Sequence, residues 1–128
     1  MDEPKWLRLD AVLAMHARQL AEHGGGVGVR DPGLLESALQ RPINKTSYGT
    51  PDLFELAAAY AYGIARNHPF IDGNKRTALV ASRTFLLING YQIKAAKADL
   101  LKTFLDLAAG DFTEEALAEW FRAHGVPT

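Results

Sequence analysis

The chain has 128 residues, with 14 Lys and Arg against 15 Asp and Glu, a net charge of −1, 48% apolar residues and no cysteine. That composition suits one globular domain over residues 1–128 with a core of its own, and it excludes a disulfide scaffold, a thiolate metal site and a thiol nucleophile. Near-neutral charge also argues against a general nucleic-acid coat, which draws its affinity from excess Lys and Arg.

The acidic opening, Met1-Asp2-Glu3-Pro4, is not followed by an apolar signal core. Asp10 precedes a predicted helix from Ala11 to Glu22, apolar at Val12, Leu13, Met15 and Leu20, and Gly24-Gly25-Gly26 closes it. Asp31-Pro32 reads as an N-cap with proline at the first helical position, opening a short helix through Gln40 that Pro42 stops. Residues 42–50 are turn formers and hydroxyls without helical period, which predicts a surface loop. Thr50-Pro51-Asp52 repeats the start signal, a hydroxyl cap before proline. The helix it opens, Pro51 to Asn67, is apolar almost all round and belongs at the centre of the fold. Its run from Leu56 to Ala65 is half of the ~20 residues that a membrane crossing needs, so the expectation is a soluble cytoplasmic protein with no membrane contact. A second buried helix runs from Asn74 to Asn89, ended by Gly90, and Tyr91-Gln92-Ile93 offers a very short strand. Two more helices follow, Lys97 to Ala109 and Thr113 or Glu114 to His124, the last with Leu117, Trp120 and Phe121 on one side. The fold class is all-α, one helical domain.

Between the two most hydrophobic helices lies Arg66-Asn67-His68-Pro69-Phe70-Ile71-Asp72-Gly73-Asn74-Lys75-Arg76. Polar groups placed where a core converges mark a site, because burying them without partners costs stability. Arg66, Lys75, Arg76 and Arg83 stand against Asp72 alone, a local positive surplus in a neutral chain. If Gly73 or Asn74 starts the second helix, its free amides and the positive end of its dipole form an anion site, flanked by Lys75 and Arg76. Asp72 is placed to hold a magnesium ion shared with phosphate oxygens, and reads equally well as an N-cap. His68 has the one side chain here that loses its proton near neutrality, and suits a base that accepts a hydroxyl proton. Base, metal ligand and anion cradle within residues 68–76 are the parts of phosphoryl or nucleotidyl transfer.

At these residues the sequence resembles the Fic/Doc superfamily, in the variant of the death-on-curing toxins. The resemblance extends upstream through Gly28-Val-Arg-Asp-Pro-Gly-Leu-Leu-Glu-Ser-Ala38 and downstream through Asn89-Gly90-Tyr91. It implies a compact helical fold with the signature loop between two central helices, and it assigns roles. His68 is the catalytic base, Asp72 the metal ligand, Asn74 and Arg76 contacts to the phosphates of ATP, and Phe70 the loop's buried anchor. Positive charge and the helix start add Gly73, Lys75 and Arg66 as further candidate phosphate contacts. Two residues depart from AMP-transferring Fic enzymes: Lys75 replaces their second glycine and Leu79 their second arginine. Both match the Doc branch, in which ATP binds reversed with its γ-phosphate toward the histidine. The resemblance thus implies a magnesium-dependent kinase of a protein hydroxyl, with elongation factor Tu as the family's target. It also implies a partner, a small antitoxin of the prevents-host-death type. No Glu in the sequence is followed by Gly or Asn, so the inhibitory glutamate motif of many Fic proteins is missing.

Other readings compete. AMP transfer is the nearer rival, and a non-catalytic antitoxin-binding module the further one. Arg66 and Arg83 read equally as ion-pairing or solvated residues. His16 and His23 are better read as packing or capping than as a metal pair. The Gly24 to Gly28 cluster follows no strand and completes no dinucleotide motif. The stretch Asn44 to Thr50 is either a cover beside the site or an exposed turn.

Overall fold

The computed structural model describes residues 3–128; Met1 and Asp2, the start of the acidic opening, lie outside them. Six helices form among the described residues: α1 (Leu9–His23), α2 (Pro32–Lys45), α3 (Leu53–Asn67), α4 (Asn74–Ile88), α5 (Lys97–Ala109) and α6 (Glu114–His124). Two short strands, β1 (Tyr91–Ile93) and β2 (Gly125–Pro127), pair antiparallel. Helix α3 is the hub, because small residues on every face let neighbours approach it closely. Ala57, Ala58, Ala59, Ala61 and Ala65 are all fully buried, as are Leu56, Tyr60 and Ile64. Helices α2, α4 and α6 pack against it, and α1 lies on α4. Burial pushes the Tyr60 phenol above its usual range, and its oxygen accepts the Leu7 N–H at 3.1 Å, tying the N-terminal segment to the hub. No described helix is long and apolar enough to cross a membrane.

The all-α architecture and the two central helices agree with the sequence, while several boundaries do not. Helix α1 begins at Leu9, and Asp10 is not its cap: it sits in the first turn with its carboxylate on Arg8 at 3.1 Å. Helix α2 runs on through Pro42 to Lys45. An internal proline costs about 3 kcal/mol, and here tertiary bonds offset it. Pro42 is buried, and Arg41 and Lys45 on either side both reach the buried Glu114 carboxylate of α6, at 2.6 and 2.7 Å. Helix α3 is capped by Asp52, not Thr50. The Asp52 carboxylate accepts the Glu55 N–H at 2.8 Å and Glu55 accepts the Asp52 N–H at 3.3 Å, a reciprocal capping box. Strand β2 went unread because three residues ending at a proline carry no period; its register pairs Gln92 with Val126.

Candidate active site

Residues 68–73 join the two central helices, and every turn of this loop is held by a named bond. Helix α3 closes on His68, whose backbone is left-handed with φ 51° and ψ 55°, the one non-glycine residue of positive φ among the described residues. A side chain rarely adopts this conformation without being held there. Phe70 is fully buried, and its ring lies face to face with the imidazole of His16, centroids 3.7 Å apart and planes within 8°. The same imidazole donates from Nε2 to the Asp72 carbonyl at 2.8 Å, so α1 holds the loop at two points. Asp72 turns its Oδ2 to the Gly26 N–H at 2.6 Å. A Cβ at Gly26 would stand 2.9 Å from the Ile71 side chain and 3.0 Å from that oxygen, which explains the glycine.

Asn74, the first residue of α4, spends its side chain on the loop. Oδ1 accepts the Phe70 N–H at 2.9 Å and Nδ2 donates to the Phe70 carbonyl at 3.0 Å, which fixes the orientation of the amide. Its remaining N–H faces Nδ1 of His68 at 3.3 Å. Nδ1 is therefore the acceptor, and in this arrangement the neutral ring carries its proton on Nε2 and its lone pair on Nδ1.

Helix α4 opens on Gly73 at φ 81°, with no side-chain cap and no acid in its first turn. Gly73, rather than Asp72, is thus the N-cap, and the Asp72 carboxylate is left to the cleft and Gly26. Lys75 and Arg76 are exposed on this first turn, and among the described residues neither has a carboxylate within ion-pair distance. Two cations at the positive end of a helix dipole repel it unless an anion joins them. The amides and cations open onto a cleft of about 450 Å³ that His68, Asp72, Gly73, Asn74, Lys75 and Arg76 all line, with Leu101 and Leu105 of α5 among its other walls.

Arg66 is not brought to this cleft. It lies on the exposed side of α3 near α5, donates from Nη1 to the Ala108 carbonyl at 3.2 Å and lines a separate hollow of about 210 Å³ with Arg41 and Glu114. Arg83 and Leu79 border another hollow beside β1. Tyr48, Gly49 and Thr50 edge a third, and Tyr48 is 80% exposed. His16 is a packing residue, as the sequence favours, but its packing serves the loop. The signal was its place four residues after Val12, on the buried face of α1.

A family model described as Fic/DOC family matches residues 6–86, from the N-terminal segment through the loop and most of α4. The chain belongs to the Fic/DOC family. Among curated relatives, this Fic/DOC chain is similar to the "Toxin Doc" of Mycolicibacterium smegmatis, 52% identical over 75 residues, which span 56% of this chain and 57% of that protein. It is also similar to the "Protein kinase doc" of Escherichia phage P1, 33% identical over 114 residues, covering 88% of this chain and 90% of the phage protein. The matched family region thus contains the whole Fic/DOC loop and the His16, Gly26 and Asn74 contacts that shape it.

Proposed function

We propose that this chain, as one Fic/DOC domain over residues 1–128, is a Doc-like toxin of a toxin–antitoxin module that transfers the γ-phosphate of ATP to a hydroxyl of a target protein. The proposed target is elongation factor Tu, with arrest of translation and growth as the outcome in the cytoplasm. The observation that carries this reading is the shared cleft, in which His68 and Asp72 face the uncapped start of α4 and its two unpaired cations. The similarity to a protein named as a kinase, along most of the chain, supports the γ-phosphate over the α-phosphate.

The residues fit one magnesium ion. Asp72 commits Oδ2 to Gly26, while Oδ1 has no hydrogen-bond partner among the described residues, and magnesium accepts a single carboxylate when phosphates and water complete its shell. Bound there, magnesium would neutralise charge on the polyphosphate. The chain's own residues do the rest. The amides of α4's first turn, with Lys75 and Arg76, bind phosphate oxygens and orient the nucleotide. Lys75 fills space that glycine would leave open beside the helix start, which favours a nucleotide whose γ-phosphate lies toward His68. As the target's hydroxyl oxygen bonds to the γ-phosphorus, its proton passes to Nδ1 of His68, displacing the long contact with Asn74. The bond from the γ-phosphorus to the bridging oxygen breaks and ADP leaves.

Incubation with magnesium, a cell lysate and either γ- or α-labelled ATP tests the reaction. The γ-label is expected on a translation factor; transfer of the α-label alone would establish AMP transfer instead. Asp72→Asn separates the two duties of that carboxylate, because an amide oxygen still accepts the Gly26 N–H while the charge is lost. The variant should keep its thermal midpoint and lose magnesium-dependent ATP binding, as measured by calorimetry with and without the metal. The similarity to a protein named "Toxin Doc" supports restraint in trans, and the proposed partner is a small antitoxin whose disordered tail folds as a helix on the toxin. Expression of this chain alone should arrest growth, and co-expression of a neighbouring small open reading frame should relieve it through direct binding, read by co-purification.

A further inference from the structure

The left-handed backbone at His68 is held from outside the loop. Arg30, in the segment before α2, donates from Nε to the His68 carbonyl at 2.7 Å and from Nη2 to the Asn67 carbonyl at 2.9 Å. Its own N–H donates to the Pro69 carbonyl at 2.7 Å, and that oxygen also takes the Asp31 N–H at 3.0 Å. Ile71 N–H donates to the Gly28 carbonyl at 3.1 Å, and Val29 forms a bridge with Phe70. The carbonyls of Asn67 and His68 lie at the C-terminus of α3, where carbonyls lack helical partners and the dipole is negative. A guanidinium suits both needs at once, since it is permanently charged and its rigid fork reaches two oxygens together. We propose that Arg30 is a positioning residue for His68, fixing the backbone of the base by clamping the carbonyls on either side of the turn.

This assignment rests on the reading of His68 as the base. The Arg30 side chain is exposed and fills no core volume, so its loss leaves no cavity. Without the fork the Asn67 and His68 carbonyls lose their side-chain donors, the left-handed turn is held only from Pro69 onward, and the imidazole loses its fixed direction toward the cleft. A displacement of about 1 Å in a catalytic group costs on the order of 10²-fold in rate. Lys in its place retains charge but grips one oxygen at a time.

The test uses the full chain with Arg30→Ala, Arg30→Lys, His68→Ala and the Arg30→Ala/His68→Ala double variant. Phosphate transfer should fall by about 10²-fold in Arg30→Ala and by less in Arg30→Lys, with KM for ATP little changed because the phosphate-binding groups belong to α4. Added guanidinium at millimolar concentration should restore part of the Arg30→Ala rate and none of the His68→Ala rate. In imidazole NMR spectra Arg30→Ala should move the His68 ring signals and leave those of His23 and His124 in place. The double variant should be no slower than His68→Ala alone. Wild-type rates in both Arg30 variants, an unmoved His68 signal, or an equal further loss on the His68→Ala background would each overturn the assignment. If Arg30→Ala does not fold, Arg30→Lys carries the same measurements. Full transfer by His68→Ala would instead refute the base, while a shifted His68 signal in Arg30→Ala would still report the clamp.

Discussion

Replacing His68 with Ala is expected to lower phosphate transfer by about 10²-fold or more, the usual worth of a positioned general base. The fold should survive, because the imidazole is exposed and its one side-chain partner, the Asn74 amide at 3.3 Å, stays anchored on Phe70 through two shorter bonds. Nucleotide binding should survive as well, since the amides of α4, Lys75 and Arg76 are untouched. The loss should therefore appear in kcat with little change in KM for ATP, the pattern of a group used in the transition state. Unchanged growth arrest by the His68→Ala chain would remove His68 from the reaction. Deletion of Lys75 or Arg76 should give the contrasting result, a rise in KM, because these side chains meet the phosphates before the proton moves.

What the sequence disclosed and what it hid follow from the range of the interactions. Periodicity and the Gly and Pro punctuation located α3 to α6, because their ends are set by neighbours in the chain. The boundary of α2 at Pro42 was misread because Arg41 and Lys45 reach a carboxylate on α6, more than sixty positions away along the chain. The loop's chemistry was legible, since His68, Asp72, Lys75 and Arg76 fall within nine residues and share one cleft. Its support was not. His16, Gly26 and Arg30 act from 56, 46 and 38 positions upstream, so the helical spacing that buries His16 beside Val12 marks a packing residue without naming the loop it holds. Asn74 shows the same limit from the other direction: its side chain faces inward to Phe70 and His68, so only its backbone amide remains for a phosphate. Arg66 stands apart from the cleft because its place on α3 turns it toward α5.

Phe70→Ala should cost about 3–5 kcal/mol, the range for removing a fully buried phenyl ring, against a total stability of roughly 5–15 kcal/mol for a domain. The loss exceeds that of an ordinary core position because the ring is also the face on which His16 stacks, at 3.7 Å between centroids. His16 then loses the surface that orients its Nε2 toward the Asp72 carbonyl, so the loop is released at both of the points α1 holds. His16→Ala alone leaves the Phe70 ring in the hydrophobic core and should cost less. The two residues share one contact, so the double variant should be less destabilised than the sum of the singles by about 0.5–3 kcal/mol, as coupled neighbours are. Urea midpoints for the four proteins measure this directly. Additive losses would mean that the stacked pair carries no energy of its own and that Phe70 is an ordinary core residue. A coupling in that range, together with reduced transfer by His16→Ala at temperatures where it remains folded, would place the imidazole of α1 among the groups that hold the catalytic loop in shape.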